Sequence, residues 1–384
     1  MKRLLAPLAA LAVLAGALPA AAFDTLAKAA YVVDVGTGTV LLDKDGDTPM
    51  PPASMSKLMT LNLLFQALKD GRVTLQTHFP VSPEAMAMGG STMFLNTRDN
   101  PTIEQLIQGI IVLSGNDACV TVAEGLAGTQ DAFVQQMNDE AKKLGLTQSH
   151  YANASGWPNP GQLMSMHDLA MLAMHIMKTY PEYYHFFGEE TFAFDGRAPA
   201  NESNRNPILG ALPGADGMKT GHTEASGYGL VGTAKQGDRR ILVVLNGLPT
   251  EASRLTEGEK LINWGFRQFV EKKAVSKGEV IATAPVWLGA KSQVGLVPAA
   301  DAKVLLPVTT SSNTLDAKVV YTGPLRAPIK AGTQVAELVV SRPDLADARI
   351  PLVAANDVAK GGFLRRIETA ALVLYRDIKG AAAR

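Results

Sequence analysis

Ser54-Met55-Ser56-Lys57, Ser114-Gly115-Asn116 and Lys219-Thr220-Gly221 stand 60 and then 105 residues apart in a chain of 384. Each string alone arises readily by chance. The three in this order describe serine acyl transfer. A serine hydroxyl is a weak nucleophile near neutral pH and needs an adjacent base. Lys57, three residues beyond Ser54, shares its face of a helix and reaches the hydroxyl. Burial would lower the lysine's pKa and let it act as a neutral amine. Ser114 offers a second hydroxyl that can relay a proton. The Asn116 amide can both donate to and accept from a peptide group. Lys219 adds positive charge, Thr220 a hydroxyl and Gly221 room for close approach. Taken singly, each string also has a plainer reading: a helix-capping serine beside a solvated lysine, a Ser/Asn turn between helices, and a lysine on a hairpin.

The elements around the strings must position them. After Pro51-Pro52-Ala53, the residues Leu58, Leu61, Leu64 and Leu68 recur at helical spacing up to Asp70-Gly71, so Ser54 opens a helix. The free N–H groups and dipole of that helix start suit a developing oxyanion. Residues 107–113 read as the end of a buried helix, 114–116 as a tight loop, and the next helix as starting near Asp117. Residues 217–223, followed by 227–234 and 241–245, read as an edge strand opening an antiparallel sheet, with turns at 223–226 and Gly237. Such an edge can add an extended peptide to the sheet. Residues 31–34 and 40–42 flank Gly36-Thr37-Gly38 as a hairpin of that sheet. Helices fill about 54–185, and a helix over 251–271 closes the unit. Strand, helices, strands is an α+β arrangement. From about 276 to 358, short alternating runs split by Gly and Pro indicate a small all-β unit.

Lys2-Arg3, an apolar stretch over 4–18 and Pro19-Ala20-Ala21-Ala22 form a secretory signal, cut before Phe23. The stretch is too short for a membrane span. The chain carries 36 basic and 36 acidic residues. Losing 1–22 removes two basic and no acidic ones, so 34 − 36 leaves −2. Nothing in that charge points to nucleic acid. Cys119 is the only cysteine, which rules out an internal disulfide and reads as a small core residue. The histidines at 78, 150, 167, 175, 185 and 222 show no metal-ligand spacing. His167 and His175 read as helix-packing residues, and only His222 as part of the site.

On these residues the chain resembles the low-molecular-mass penicillin-binding proteins, serine-type D-Ala-D-Ala carboxypeptidases of the peptidase S11 group within the β-lactamase-like superfamily. The likeness runs through Pro52-Ala53-Ser54-Met55-Ser56-Lys57-Leu58-Met59-Thr60, Ser114-Gly115-Asn116-Asp117-Ala118 and Asp216-Gly217-Met218-Lys219-Thr220-Gly221-His222-Thr223. Arg254, upstream of Leu261-Ile262-Asn263-Trp264-Gly265-Phe266, matches the family position that binds the substrate's terminal carboxylate. Arg205, in Asn204-Arg205-Asn206, matches another family arginine. Met55-Ser56 stands where Leu-Thr is usual, and Gly156-Trp157 where Gly-Leu is usual.

The resemblance implies an α+β transpeptidase-like catalytic domain over 23–274, a small all-β domain over 275–358, and the segments 1–22 and 359–384 as signal and anchor. It implies Ser54, Lys57, Ser114 and Asn116 as catalytic residues, and Lys219, Thr220, Gly221, His222, Arg254 and Arg205 as substrate-binding residues. The backbone N–H groups of Ser54 and His222 would hold the oxyanion. It implies peptidoglycan stem peptides as substrate, β-lactams as covalent inhibitors, and no metal or cofactor. A β-lactamase of the related kind would need a Glu-x-x-x-Asn loop, and Glu182, Glu189 and Glu190 have no asparagine four residues on. Endopeptidase or transpeptidase action stays open. A non-catalytic wall-binding scaffold is disfavoured by the intact strings.

In the tail, Phe363, Ile367, Ala370, Ala371, Leu374 and Ile378 recur at helical spacing. Residues 360–384 hold six basic and two acidic side chains, a net of +4. That predicts a helix lying in a membrane interface and attracted to anionic lipid. The resemblance places it on the outer face of the inner membrane, facing the periplasm.

Overall fold

The computed structural model describes residues 23–197, 201–310, 315–363 and 367. The signal segment 1–22 and, apart from 359–363 and 367, the tail helix lie outside the described residues.

Strand β1, Ala29–Asp34, shows how the main core is built. All six residues are buried, and they alternate between two apolar clusters: Ala29, Tyr31 and Val33 in one, Ala30 and Val32 in the other. A strand buried on both faces belongs inside a sheet covered on both sides. The sheet also holds β2 (Thr39–Lys44), β3 (Ala215–Thr223), β4 (Gly227–Gln236) and β5 (Arg239–Leu248). Its order is β2-β1-β5-β4-β3, antiparallel throughout.

One face packs against α1 (Lys57–Lys69), α2 (Pro83–Met86), α3 (Ile103–Gln108), α4 (Asn116–Ala127), α5 (Gln130–Leu144) and α6 (Met166–Thr179). The other packs against α7 (Glu251–Gln268), whose Leu261 and Ile262 are fully buried there. Strand β3 is left at the edge, as the sequence predicts.

The sequence reading carries the last helix to Glu271. In the structure α7 stops at Gln268, and Phe269–Val275 is strand β6. The cause lies outside the segment. Strand β9 (Ala302–Pro307) pairs with its backbone from Phe269 to Val275. In addition, Arg239 donates to the carbonyl oxygens of Gly265, Phe266 and Phe269. A guanidinium, itself paired with the buried Asp34, thus satisfies the last-turn carbonyls of the helix. Local periodicity cannot show either partner.

Beyond β6 come β7 (Ala282–Trp287), β8 (Gln293–Pro298), β10 (Ala317–Val320), β11 (Leu325–Arg326), β12 (Gln334–Arg342) and β13 (Leu345–Ala354). They form a six-stranded sheet in the order β10-β12-β13-β8-β7-β11 over a separate apolar core. Arg342 of this unit donates to Thr39 Oγ1 of β2 at 2.9 Å.

Candidate active site

Ser54 lies on a single 3-10 turn, Ala53–Ser56, that runs straight into α1. Ser56 Oγ donates to the Ala53 carbonyl at 3.0 Å and holds the turn closed. Lys57, at the first position of α1, is fully buried. Its Nζ makes three hydrogen bonds: to Ser54 Oγ at 2.8 Å, Asn116 Oδ1 at 2.7 Å and the Ser155 carbonyl at 2.6 Å. Two of these partners are pure acceptors and the third is a hydroxyl. A neutral amine fits them fully: two N–H bonds go to Asn116 and Ser155, and the lone pair faces the Ser54 hydroxyl. Burial, above all, brings the Lys57 pKa down to about 8, with the positive charge of Arg205 helping.

The second string is placed by an irregular helix end. Helix α3 widens into a π-turn over Gly109–Leu113, and Ser114 then adopts a left-handed conformation at φ 59°. Asn116 begins α4. Its Oδ1 serves Lys57 and its Nδ2 donates to the Gly89 carbonyl at 2.8 Å. One lone pair of the amide oxygen is therefore used by Lys57, and one N–H is left for a substrate. Ser114 Oγ accepts from Lys219 Nζ at 3.0 Å. Through Asn116 on Lys57 and Ser114 on Lys219, the middle string contacts both lysine strings.

On the edge strand, Lys219 is 2% exposed. Burial, followed by the nearby charges of Lys57 and Arg205, holds its pKa well below the usual lysine range. Among the described residues no carboxylate hydrogen-bonds Lys57 or Lys219. Gly221 does allow a close approach, but to protein: a Cβ there would lie 2.7 Å from the Pro52 carbonyl oxygen. Glycine lets β3 pack directly on the Ser54 turn.

Arg254 sits in the first turn of α7, fixed by a capping box between Thr250 and Ser253. It donates to the Gly221 carbonyl at 2.9 Å and lies over the Tyr228 ring, which also stacks on His222. Arg205 bonds Ser91 Oγ at 2.5 Å and Asn201 Oδ1 at 2.6 Å. A pocket of about 300 Å³ brings Ser54, Ser114, Thr220, His222, Arg205 and Arg254 together. Every residue singled out from sequence lines this pocket or contacts one that does.

Three groups escaped the sequence reading. The Ser155 carbonyl is one; a backbone acceptor has no residue signature. Asp117 is another. It was read only as a helix start, yet its carboxylate accepts from the N–H groups of Met93 and Leu95, fixing the loop that carries Ser91. Burial pushes its pKa up. Tyr228 is the third. The readings of Cys119 and of His167 and His175 hold as stated: the thiol is fully buried, with burial raising its pKa to about 11, the His167 ring stacks on Tyr31, and the His175 ring meets Tyr180 edge to face. The span Glu202-Ser203-Asn204-Arg205-Asn206 does carry the Glu-x-x-x-Asn spacing that the three weighed acids lack. Glu202 does not line the Ser54 pocket, though. The carboxylate that does, Glu251, is paired with Arg254.

Comparison with known proteins gives a consistent set of likenesses. Residues 17–248 match the family described as D-alanyl-D-alanine carboxypeptidase, and residues 269–360 match the penicillin-binding protein 5 C-terminal domain. The D-alanyl-D-alanine carboxypeptidase DacC of Escherichia coli K12 is 36% identical over 349 residues, covering 89% of this chain and 86% of that protein. DacF of Bacillus subtilis is 29% identical over 347 residues, with 88% and 87% covered. Penicillin-binding protein 5 from Haemophilus influenzae superposes with a TM-score of 0.79 at 31% identity, covering 88% of this chain and 98% of that one. Penicillin-binding protein D2 from Listeria monocytogenes, solved in an ampicillin-bound form, gives 0.57 at 30% identity, over 63% of this chain and 98% of that one.

Proposed function

The chain belongs to the D-alanyl-D-alanine carboxypeptidase family, peptidase S11, and from that membership we propose that it removes the terminal D-alanine from peptidoglycan pentapeptide stems through an acyl-enzyme on Ser54. The observation that carries this reading is the threefold hold on Lys57 Nζ, which points one valence of a buried amine at the Ser54 hydroxyl.

In this mechanism Lys57 takes the Ser54 proton as Oγ attacks the penultimate carbonyl carbon. The backbone N–H groups of Ser54 and His222 hold the oxyanion. The C–N bond breaks, and Ser114 relays to the leaving amine the proton that Lys57 took, giving up its own hydroxyl proton and receiving that of Lys57, which returns to the neutral amine. Water then hydrolyses the ester and restores the Ser54 hydroxyl. Lys219, Thr220 and Arg254 hold the substrate carboxylate, with Arg205 lining the same pocket. An incoming carboxylate also opposes the forces that depress the Lys219 pKa, so its binding favours the charged ammonium.

The direct test compares a pentapeptide ending in free D-Ala-D-Ala with the same peptide amidated at its C-terminus. The free acid should release D-alanine, and one equivalent of a covalently bound penicillin should stop it. Comparable turnover of the amide would remove the carboxylate clamp from the mechanism.

Acylation should depend on pH in the direction set by Lys57. Only the unprotonated amine accepts the serine proton, so the rate of penicillin acylation should rise through about pH 8 and level off above it. A rate that falls as pH rises through that point contradicts Lys57 as the base.

We also assign the protein to the periplasmic side of the inner membrane, held peripherally by residues 361–384. What supports this is their net basic charge and apolar spacing; no helix among the described residues is long and apolar enough to cross a membrane. Deleting 361–384 should leave D-alanine release intact and move the protein to the soluble fraction. Unchanged membrane partitioning would rule the anchor out.

A further inference from the structure

Ser54 stands between two cavities of opposite character. One is the polar pocket of Ser114, Arg205 and Arg254 described above. The other, about 320 Å³, starts at Ala53 and Thr223, the neighbours of Ser54 and His222, and is walled by Pro51, Pro52, Pro158, Pro160 and the half-exposed Trp157. No charged side chain lines it. Gln162 does: it is 2% exposed, and its Oε1 is taken by the N–H groups of Ala152 and Asn153. Its Nε2 has no hydrogen-bond partner among the described residues. The Trp157 backbone N–H donates to Asn153 Oδ1, and the indole lies over Gly90, where an added Cβ would come within 3.0 Å of the ring. The mechanism above makes no use of Trp157.

A substrate held by its carboxylate in the polar pocket and attacked at Ser54 must leave its acyl half on the other side of the serine. From this placement we infer that the proline-lined pocket receives the side chain of the residue preceding the D-alanine pair, that it selects a long uncharged chain bearing an amide over one ending in a free ammonium, and that Trp157 sets this preference. The inference rests on the carboxypeptidase reading for the direction of the substrate. A free ammonium would shed its hydration against proline rings with no carboxylate to meet it. An acylated amine brings a methylene run for the indole face and no charge to desolvate.

The test uses the full chain and three peptides, Nα-acetyl-X-D-Ala-D-Ala, with X as lysine, Nε-acetyl-lysine or glycine. The acetylated lysine peptide should exceed the free lysine peptide by about tenfold in kcat/KM. Trp157→Ala should bring that ratio below about threefold, while Trp157→Leu keeps more of it. The glycine peptide, with no side chain to place, reads any general damage to the loop. A second pair of probes does not depend on peptide turnover: two penicillins whose acyl chains are hexanoyl or 6-aminohexanoyl, compared by their rates of Ser54 acylation. The hexanoyl compound should react faster in the wild type and lose its advantage in Trp157→Ala. Equal rates for the two members of each pair in the wild type, or a Trp157→Ala protein that slows all probes by the same factor, overturns the inference. If no peptide releases D-alanine while the penicillins still discriminate, the carboxypeptidase reading fails and with it the peptide register, while the pocket's preference for an uncharged acyl chain set by Trp157 stands.

Discussion

Lys57→Met should abolish acylation of Ser54 by penicillin and stop D-alanine release, while leaving a folded protein. Methionine nearly matches the lysine stem in length and suits a fully buried site. It removes the amine that takes the serine proton. Loss of a positioned base typically costs about 10²–10⁴-fold. Serine and base act as one unit, so Lys57→Met should approach the inactivity of Ser54→Ala, and the double variant should be hardly worse than either.

Stability separates this loss from misfolding. The folded pKa of about 8 lies below the ordinary value of 10.5. At pH values between the two, the unfolded chain binds the proton and the folded one does not, so this lysine makes the wild type less stable as pH falls through that window. Below about pH 8 the full penalty, on the order of 3 kcal/mol, is present. Against it stand two acceptors, Asn116 Oδ1 and the Ser155 carbonyl, left unserved in the variant at about 1–3 kcal/mol each. The net change in melting temperature at neutral pH should therefore be small, and the difference between wild type and variant should shift toward the wild type as pH rises from 8 to 10.5. Penicillin labelling and melting curves decide this together. A Lys57→Met protein that is labelled at the wild-type rate removes Lys57 from the chemistry.

Gly156→Ala should damage both fold and activity, although Gly156 carries no functional group. Its φ is +78°, and an added Cβ would overlap the Ala53 carbonyl oxygen and crowd Ser56 Oγ. The obstacle is backbone, so no side chain can swing aside. Strain in the left-handed region costs about 1 kcal/mol, and overpacking adds about 1–3 kcal/mol. The chain must move apart where the Ser54 turn meets the loop whose Ser155 carbonyl holds Lys57, so acylation should fall with stability. Gly38→Ala is the control: its φ is +67°, with nothing within 4 Å of the added Cβ. It should show the strain alone, with acylation unchanged. Equal melting temperatures for the two variants would mean that the packing of Gly156 on Ala53 does not matter.

The two glycines also show where sequence reading reaches its limit. Both are followed or preceded by ordinary turn residues, and only the fold reveals that one abuts a backbone oxygen. The three strings were legible because they bear side chains of defined chemistry: Lys57 bonds Ser54 and Asn116, and Lys219 bonds Ser114. The α+β arrangement and the edge position of Lys219-Thr220-Gly221 were legible from periodicity. The end of α7 was not, because it is set by pairing with β9 and by Arg239, 26 to 30 residues away from the carbonyls it serves. The Asn116 amide was expected to offer a substrate both an acceptor and a donor. Its oxygen also bonds Lys57, a partnership that residue type alone does not announce.

The polar pocket beside Ser54 is lined by two arginines, with the buried Lys57 and Lys219 bonded to its Ser54 and Ser114, and its one lining carboxylate is tied to Arg254. Any small anion with an acylating carbonyl is drawn into that field, whether it is a peptide ending in D-alanine or an antibiotic carrying a ring carboxylate. Affinity therefore gives the site little means to refuse the antibiotic. What separates the two is the fate of the expelled nitrogen. D-Alanine becomes a separate molecule and diffuses away, clearing the path for water. The nitrogen of an opened β-lactam stays tethered to the acyl group, and on the proposed mechanism its attached carboxylate would remain with the arginines. Discrimination here is a matter of time rather than of recognition, and the charge that captures the substrate is also what lets the inhibitor remain.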